Sequence, residues 1–171
     1  MKGRILSVLL IFALSVCLLA SCGESNKRAE FTHCELTLVL DKGYEEEKSE
    51  DFDLLLSNGD VAVSLLRISF EAGFNQGIPD TYTAKGFAAF FMNKSEKSDT
   101  LLMRGDVPYY TYTETVGDRE IFYTVTFYRS FDAYFMVAYA TDEKNKGELS
   151  EKFLEYAEAA YFNNAPEINK D

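Results

Sequence analysis

Apolar residues are most regularly patterned around residues 53–65, where two apolar runs flank a short polar break. Asp53-Leu54-Leu55-Leu56-Ser57 precedes Asn58-Gly59, and Asp60-Val61-Ala62-Val63-Ser64-Leu65 follows it. An Asn-Gly pair accepts the positive φ angles that a tight two-residue hairpin turn requires. The pattern therefore predicts a β-hairpin over this segment.

Three later apolar runs predict a second antiparallel set of strands. They cover Tyr109–Thr115, Ile121–Tyr128 and Ala133–Ala140, with turns at Gly117-Asp118 and Arg129–Asp132. In the second run, both alternating sets of side chains are substantially apolar or aromatic. Such a strand is normally covered on both faces, so we expect the last two strands to lie in the middle of the sheet.

A first helix is expected to begin near Asp80 or Thr81, which are good N-cap residues after Pro79, and to end at about Lys94. Its inward-facing side chains would be Phe87, Phe90 and Phe91. Gly86 weakens this helix by up to about 1 kcal/mol relative to alanine. The helix is expected to cover one face of the sheet.

A second helix is predicted over Lys146–Phe162, because apolar residues recur there at helical spacing. The apolar stripe contains Leu149, Phe153, Leu154, Ala157, Ala160 and Tyr161. This helix should also pack on the sheet and close the domain. The tail at residues 165–171, which contains Pro166, should fray.

The order of these elements resembles the PsbP-like fold shared with DcrB-type bacterial lipoproteins. The resemblance rests on ELTLVLDKGYEEE, FDLLLSNGDVAVSLLR, a phenylalanine-rich helix, DREIFYTVTFYRSFDAYFMVAYAT and a final amphipathic helix, and it covers about Phe31–Phe162. It implies an α+β fold, an antiparallel β-sheet sandwiched by helices. Better-known members act as accessory or binding subunits. No functional motif of that family matches here, so the resemblance assigns no site residue.

The amino terminus resembles the leader of a bacterial lipoprotein. Lys2 and Arg4 precede the apolar run Ile5–Ala20, and Leu19-Ala20-Ser21-Cys22 resembles a lipobox. A positive flank, a short apolar centre and small residues before the cleavage point are typical of a secretory signal. The resemblance implies that residues 1–21 are removed and that the Cys22 sulfur carries lipid such as palmitate. An uncleaved transmembrane anchor is the alternative, but the run is shorter than the roughly 20 residues that span a bilayer.

This interpretation divides the chain into four parts. Residues 1–21 form the signal peptide, residues 22–30 the lipidated cysteine and a polar tether, residues 31–164 the PsbP-like domain, and residues 165–171 a flexible tail. The expected location is the extracytoplasmic face of the cell membrane, with the lipid on Cys22 as the membrane contact. Fully extended, the eight tether residues Gly23–Glu30 reach roughly 25 Å.

The three cysteines have different expected fates. Cys17 lies in the leader and Cys22 would carry lipid, so Cys34 is the one thiol left and no internal disulfide is possible. Cys34 is adjacent to His33, which suggests a Cys/His nucleophile pair, but neighbouring strand residues point to opposite faces. We therefore expect Cys34 to be a buried or edge-strand cysteine.

The chain is strongly acidic. Loss of Lys2 and Arg4 with the leader would change the formal net charge from −11 to −13. Such a surface repels nucleic acid, so nucleic acid is not an expected partner. The acidic clusters Glu45–Glu47 and Glu50–Asp53 are interpreted as solvated turns, with weak divalent-cation binding as the alternative.

Sequence signatures of enzymes are largely missing. The chain has no Gly-x-Ser-x-Gly elbow, no His-Glu-x-x-His, no phosphate-binding glycine loop with lysine and no Cys-x-x-Cys, and His33 is its sole histidine. We therefore expect no catalytic residue, no metal site and no cofactor. A small envelope hydrolase that uses acidic residues is the alternative hypothesis.

Tyrosines are concentrated in the last three predicted strands, where a ring with a polar tip suits a recognition surface. The candidate binding surface consists of Tyr109, Tyr110, Tyr112, Tyr123 and Tyr128, bordered by Arg119 and Arg129. The alternative is that these rings pack beneath a helix. The preferred hypothesis is a non-enzymatic binding or accessory domain that contacts an envelope protein or glycan.

Overall fold

The computed structural model describes residues 28–163. The predicted leader at residues 1–21, the predicted lipidation site Cys22 and the predicted flexible tail at residues 165–171 lie outside the described residues.

Ten strands and three helices form the described part of the chain. The strands are β1 (Arg28–His33), β2 (Leu36–Asp41), β3 (Glu45–Glu46), β4 (Leu54–Ser57), β5 (Val61–Ser69), β6 (Leu102–Arg104), β7 (Val107–Val116), β8 (Arg119–Arg129), β9 (Ala133–Asp142) and β10 (Tyr161–Phe162). The helices are α1 (Phe70–Phe74), α2 (Ala84–Ser95) and α3 (Lys146–Ala159), with a 3₁₀ turn at Glu143–Asn145. The predicted α+β class is confirmed.

The strands form two antiparallel sheets. The larger sheet has seven strands in the order β3-β4-β5-β9-β8-β7-β6, and the smaller has three in the order β1-β2-β10. Strands β8 and β9 are interior, as their apolar pattern predicted. Both faces of these strands are buried, since nearly every residue from Ile121 to Thr141 outside the connecting turn is shielded from solvent.

Each face of the large sheet has its own core. On the α2 face, Tyr123, Val125 and Phe127 of β8 pack with Phe87 and Phe91 of α2. The α3 face packs against α3 and the small sheet, and its core includes Phe122, Tyr139, Phe153, Leu36 and Leu38. Successive strand residues point to opposite faces, so one strand supplies both cores. The predicted arrangement of a sheet covered on both sides is confirmed.

The predicted hairpin at residues 53–65 is present, but its turn is one residue later than expected. The Asn58 N–H donates to the Val61 carbonyl at 3.1 Å, so Gly59 and Asp60 are the central residues. Gly59 has a φ of 92°, which suits glycine at the first central position of such a turn. The Asn58 side chain instead accepts from the N–H groups of Asp60 at 3.1 Å and Val61 at 2.8 Å.

The predicted start of the first helix is wrong by a few residues. Helix α2 begins at Ala84, because the Thr83 hydroxyl caps it by accepting from the Gly86 N–H at 3.1 Å. The chain before it forms a separate turn, in which the Tyr82 N–H donates to the Pro79 carbonyl at 3.3 Å. Among the predicted inward residues, Phe87 and Phe91 are buried and Phe90 is half-buried.

The second helix is shorter than predicted. Helix α3 ends at Ala159, and after Ala160 the chain forms β10, in which Tyr161 pairs with Thr37 and Phe162 with Leu36. An aromatic pair suits a strand, and this pairing satisfies backbone groups along the free edge of β2. As a result Tyr161 is exposed rather than buried.

Strand β1 was not predicted, and its presence corrects the interpretation of Cys34. β1 begins at Arg28, inside the segment interpreted as a polar tether, and pairs with β2 from Arg28↔Asp41 to His33↔Leu36. Cys34 and Glu35 therefore form a two-residue turn. Cys34 is exposed with a φ of 50°, so it is neither a buried nor an edge-strand residue. Four of the six residues of β1 are polar, so the side-chain pattern gives little sign of a strand, and the pairing with β2 is made by the backbone.

Candidate functional site

The tyrosines of the predicted binding surface are mostly core residues. Tyr110, Tyr112 and Tyr123 are buried on the α2 face, and Tyr128 is buried on the opposite, α3 face. Tyr109 is half-buried. The five residues therefore do not form one exposed surface, and the alternative of packing beneath helices describes four of them.

The two arginines expected to border that surface lie at opposite ends of β8. The eleven residues of β8 separate them by about 33 Å at the usual rise of a strand. Arg119 is held at one end by Asp142, whose Oδ1 accepts from the Arg119 Nε at 2.9 Å. Arg129 lies at the other end, where its guanidinium donates to the Asp80 carbonyl at 3.2 Å. The two arginines therefore contact different residues at opposite ends of β8 and do not border one surface.

Burial makes the core tyrosines poor acids. Tyr112 stacks on Tyr123 with ring centroids 4.7 Å apart. Burial, with the nearby Glu114 carboxylate, raises the pKa of Tyr123 to about 12. Burial likewise raises the pKa of Tyr112 well above its ordinary value. At neutral pH these hydroxyls are protonated, so they are packing groups rather than nucleophiles or bases.

A different set of residues forms an exposed surface at one end of the large sheet. We call it the end surface, and it consists of the Cys34-Glu35 turn, the Ser130-Phe131-Asp132 turn, Arg67, Arg129 and helix α1. Two of its side chains are the most exposed large apolar groups in the described part of the chain, Phe74 at 77% and Phe131 at 66%. Large exposed aromatic side chains of this kind are typical of interaction sites.

Polar contacts join the two turns of the end surface to each other and to Arg67 of β5. The Ser130 hydroxyl donates to Glu35 Oε1 at 2.8 Å, which links the β8–β9 turn to the β1–β2 turn. Arg67 donates from Nη2 to Asp132 Oδ2 at 2.8 Å, and its Nε lies 3.5 Å from Glu35 Oε2. Partial burial lowers the pKa of Arg67, but the two carboxylates raise it more, so the net shift is upward. The guanidinium therefore stays charged and holds both turns in place.

Helix α1 is fixed to the same end of the sheet. Ser69 caps it by accepting from the Ala72 N–H at 3.2 Å, and the Phe70 N–H donates to the Asp132 carbonyl at 2.9 Å. The Phe70 ring packs against Tyr134, and the Arg129 guanidinium lies 5.0 Å from the centre of the Phe70 ring. A cation over an aromatic ring beside two exposed phenylalanines gives the residue types that often dominate protein interfaces.

The sequence contained one usable signal for the end surface. Phe131 falls within the turn that was predicted at Arg129–Asp132, and an aromatic residue at the tip of a turn has no core to enter. Nothing in the sequence indicated Arg67, Glu35 and Ser130 as a group, because they come from three separate segments. Their proximity depends on the pairing of β5 with β9.

The acidic segment before β4 forms a shallow concavity of about 760 Å³, lined by residues between Glu46 and Leu55. Its carboxylates come from one contiguous loop. Within residues 28–163, no three histidine, cysteine, aspartate or glutamate side chains are arranged to hold a metal ion. The alternative of divalent-cation binding therefore finds no ligand set there. The same residues contain no helix long and apolar enough to cross a membrane.

No protein-family model matches the sequence, and no curated protein matches it. Solved structures do match. A protein from Bacteroides thetaiotaomicron VPI-5482 aligns with a TM-score of 0.54 at 10% identity, over 79% of this chain and 48% of that one. This chain therefore spans about half the length of that protein, and the likeness shows a shared fold.

Two further solved structures are similar at lower scores. Cyanobacterial PsbP (CyanoP) from Synechocystis sp. PCC 6803 aligns over 84% of this chain and 98% of its own, at 18% identity and a TM-score of 0.49. The Ran-binding protein Mog1p of Saccharomyces cerevisiae aligns over 80% and 96%, at 10% identity and a TM-score of 0.46. A PsbP and a Ran-binding protein are thus among the structural neighbours.

Proposed function

We propose that this protein is a lipid-anchored, non-enzymatic binding or accessory domain on the extracytoplasmic face of a bacterial membrane. The observation that carries the proposal is Leu19-Ala20-Ser21-Cys22 at the end of an apolar run behind two cations. A leader of this kind directs export, and acylation of the cysteine would retain the domain at the membrane. The partner is proposed to be another protein of the cell envelope.

The position where the chain enters the fold supports this arrangement. Arg28, the first residue of β1, pairs with Asp41, at the opposite end of β1 from the Cys34-Glu35 turn. The six peptide steps from Cys22 to Arg28 span at most about 21 Å. An anchor on Cys22 would therefore keep the Arg28 end near the lipid and direct the end surface away from it, toward other envelope proteins.

Replacement of the candidate lipidated cysteine tests the anchor. We expect Cys22→Ser to abolish incorporation of an alkyne-labelled palmitate and to move the protein from the membrane pellet to the soluble fraction. Cys34→Ser is the matched control, because Cys34 is an exposed thiol outside the leader, and it should leave both measurements unchanged. Labelling that persists in Cys22→Ser, or that is lost in Cys34→Ser, contradicts the proposal.

Crosslinking in cells tests whether the end surface contacts a protein. A photoreactive amino acid at Phe74 should give one discrete adduct, and Phe131→Ala should reduce that adduct at least about tenfold, as expected for loss of a central aromatic contact. The stability of Phe131→Ala should change by less than about 0.5 kcal/mol, because the side chain is exposed. The same photoreactive residue at Lys85, an exposed position on α2, is the control. Equal adducts at both positions, or an adduct unaffected by Phe131→Ala, would exclude the end surface as the contact.

A further inference from the structure

The outer edge of β7 is only partly covered. Strand β6 has three residues and pairs with Val107, Pro108 and Tyr109 alone. On its inner side, β7 pairs with β8 from Tyr109 to Val116. The segment from Tyr110 to Val116 therefore has a strand neighbour on one side only.

The outward backbone groups of this segment belong to three threonines. Two-residue turns close both hairpins, with Arg104↔Val107 and Val116↔Arg119 as the flanking pairs. Hydrogen-bonding direction alternates along an antiparallel strand, so Val107 and the residues at even spacing from it point their N–H and C=O groups outward. Beyond β6 these residues are Thr111, Thr113 and Thr115. Among residues 28–163, no other segment makes a backbone hydrogen bond to them.

This edge lacks the features that normally prevent strand addition. Natural edges carry lysine, proline, bulges or a covering segment. Here the proline of β7, Pro108, lies in the part already covered by β6. The one charged residue of the open segment, Glu114, points to the α2 face and is paired with Lys97. The open edge is thus a seven-residue strip with outward backbone groups that no strand within residues 28–163 pairs, and its one charged residue is turned to the α2 face.

The surroundings of the strip are acidic. The Thr113 hydroxyl donates to Glu143 Oε2 at 2.7 Å, and Thr115 is paired with the exposed Glu120. Glu143 Oε1 also lies 3.3 Å from Lys146 Nζ, so the charge of this carboxylate is partly compensated and that of Glu120 contributes more. The whole chain has a formal net charge of −11. A second copy would bring two acidic surfaces together, whereas an extended segment with lysine or arginine beside its strand would meet opposite charge.

We propose that the outer edge of β7 binds an extended, basic segment of another protein by β-strand addition, with Thr111, Thr113 and Thr115 supplying the backbone hydrogen bonds. Main-chain pairing gives such complexes their affinity. The carboxylates of Glu120 and Glu143 beside the strip favour the binding of basic segments over acidic ones. The site lies along the side of the sheet and does not depend on the lipid anchor or on the end surface.

Amide hydrogen exchange of the full chain in detergent micelles tests this proposal residue by residue. The probe is the peptide Lys-Val-Thr-Val-Thr-Val-Lys, used at about 1 mM, and the matched control has glutamate in place of both lysines. The basic peptide should slow exchange at Thr111, Thr113 and Thr115 at least about tenfold and leave Tyr112 and Glu114, whose amides face β8, unchanged. The acidic peptide should give less than a tenth of that protection.

Two variants at one position separate backbone pairing from side-chain contact. Thr113→Pro removes the outward N–H and should abolish the protection by the peptide, while Thr113→Val keeps the N–H and should retain it. Both variants lose the bond to Glu143, so they are matched in that respect. If Thr113→Pro does not fold, the alternating protection in the native chain still decides the question.

Three outcomes overturn the proposal. These are no protection with the basic peptide, equal protection with both peptides, or protection of consecutive rather than alternate amides. Protection of the same threonines without peptide, rising with protein concentration, would assign the edge to a second copy of the chain and also overturn the stated occupant. Loss of membrane anchoring in Cys22→Ser leaves each of these measurements unchanged, so the two proposals fail independently.

Discussion

Replacement of Phe87 by alanine is expected to destabilise the domain by about 3–5 kcal/mol, the usual range for removal of a buried phenylalanine. Phe87 is fully buried at the centre of the α2 face. Its ring is stacked on Tyr134 at 4.3 Å and packs edge-on against Phe91 at 4.9 Å and Phe127 at 5.6 Å. The substitution would leave a cavity among aromatic rings that cannot collapse into it, because the three surrounding rings belong to three different elements, α2, β8 and β9.

The measurement is urea unfolding followed by circular dichroism and tyrosine fluorescence, since the chain has no tryptophan. Phe90→Ala on the same helix is the matched control, because Phe90 is half-buried and should lose no more than about half as much stability. Domains of this size have total stabilities of about 5–15 kcal/mol, so Phe87→Ala should be partly unfolded at modest denaturant concentrations. Equal losses in the two variants would contradict the assigned core.

Alkaline pH is expected to unfold the domain, because its buried tyrosines resist ionisation. Burial raises the pKa of Tyr128 to about 12 from an ordinary value of 10.0, although hydrogen bonding to Thr126 partly opposes this shift. Its hydroxyl donates to the Ala157 carbonyl at 3.0 Å, which ties β8 to α3. Burial also raises the pKa of Tyr44 and Tyr139 on the same face.

The direction of the pH effect on stability depends on whether the folded or the unfolded state favours the protonated tyrosine. The folded state holds the neutral phenol, so its full contribution is present below pH 10 and is lost as pH rises toward about 12. For Tyr128, two pKa units correspond to about 3 kcal/mol. Loss of several such contributions should exceed the total stability of a domain with a free energy of unfolding of about 5–15 kcal/mol.

Absorbance at 295 nm and the free energy of unfolding, both measured between pH 8 and 12.5, check this prediction. We expect the buried tyrosines to titrate together with unfolding. Tyr128→Phe should flatten the pH dependence, at a loss of about 1 kcal/mol at neutral pH for the missing hydrogen bond. Tyr161→Phe, at an exposed position, should leave the free energy of unfolding and its pH dependence unchanged. Titration of all tyrosines near pH 10 in a folded protein would refute the burial.

Prediction from the sequence succeeded where side-chain pattern and local turn chemistry agree. The double apolar pattern of β8 placed it in the sheet interior, and the Asn58-Gly59 break located the hairpin to within one residue. Prediction failed for β1, because four of its six residues are polar and the strand is defined by backbone pairing with β2. It also failed at Tyr161, where the free edge of β2 competes successfully with continuation of the helix.

The residues proposed as a binding surface show the same difference between what the sequence predicts and what the fold decides. The alternating pattern of β8 puts Tyr123 and Tyr128 on opposite faces, so the five tyrosines proposed as one surface do not share a face, and the pattern contains no information on which face a helix covers. In the structure, Tyr110 and Tyr112 are buried beneath α2. The large exposed phenylalanines are Phe74 and Phe131, which lie on short connecting segments. Residues 130 and 131 were within a predicted turn, but their neighbours Glu35 and Arg67 are distant in sequence.

By itself, the sequence determined the α+β class, the order and approximate bounds of the hairpin, the three long later strands and the two long helices, the acidic character of the chain and the candidate anchor at Cys22. These properties depend on local periodicity, turn residues and composition. The tertiary structure alone decided that the tyrosines are buried, that Cys34 lies in an exposed turn, that Arg67 joins two distant turns and that β7 keeps an open edge. Each of these depends on which strands become neighbours and which face a helix covers. Such contacts between distant segments are selected by the free energy of the whole fold, and no local pattern records them.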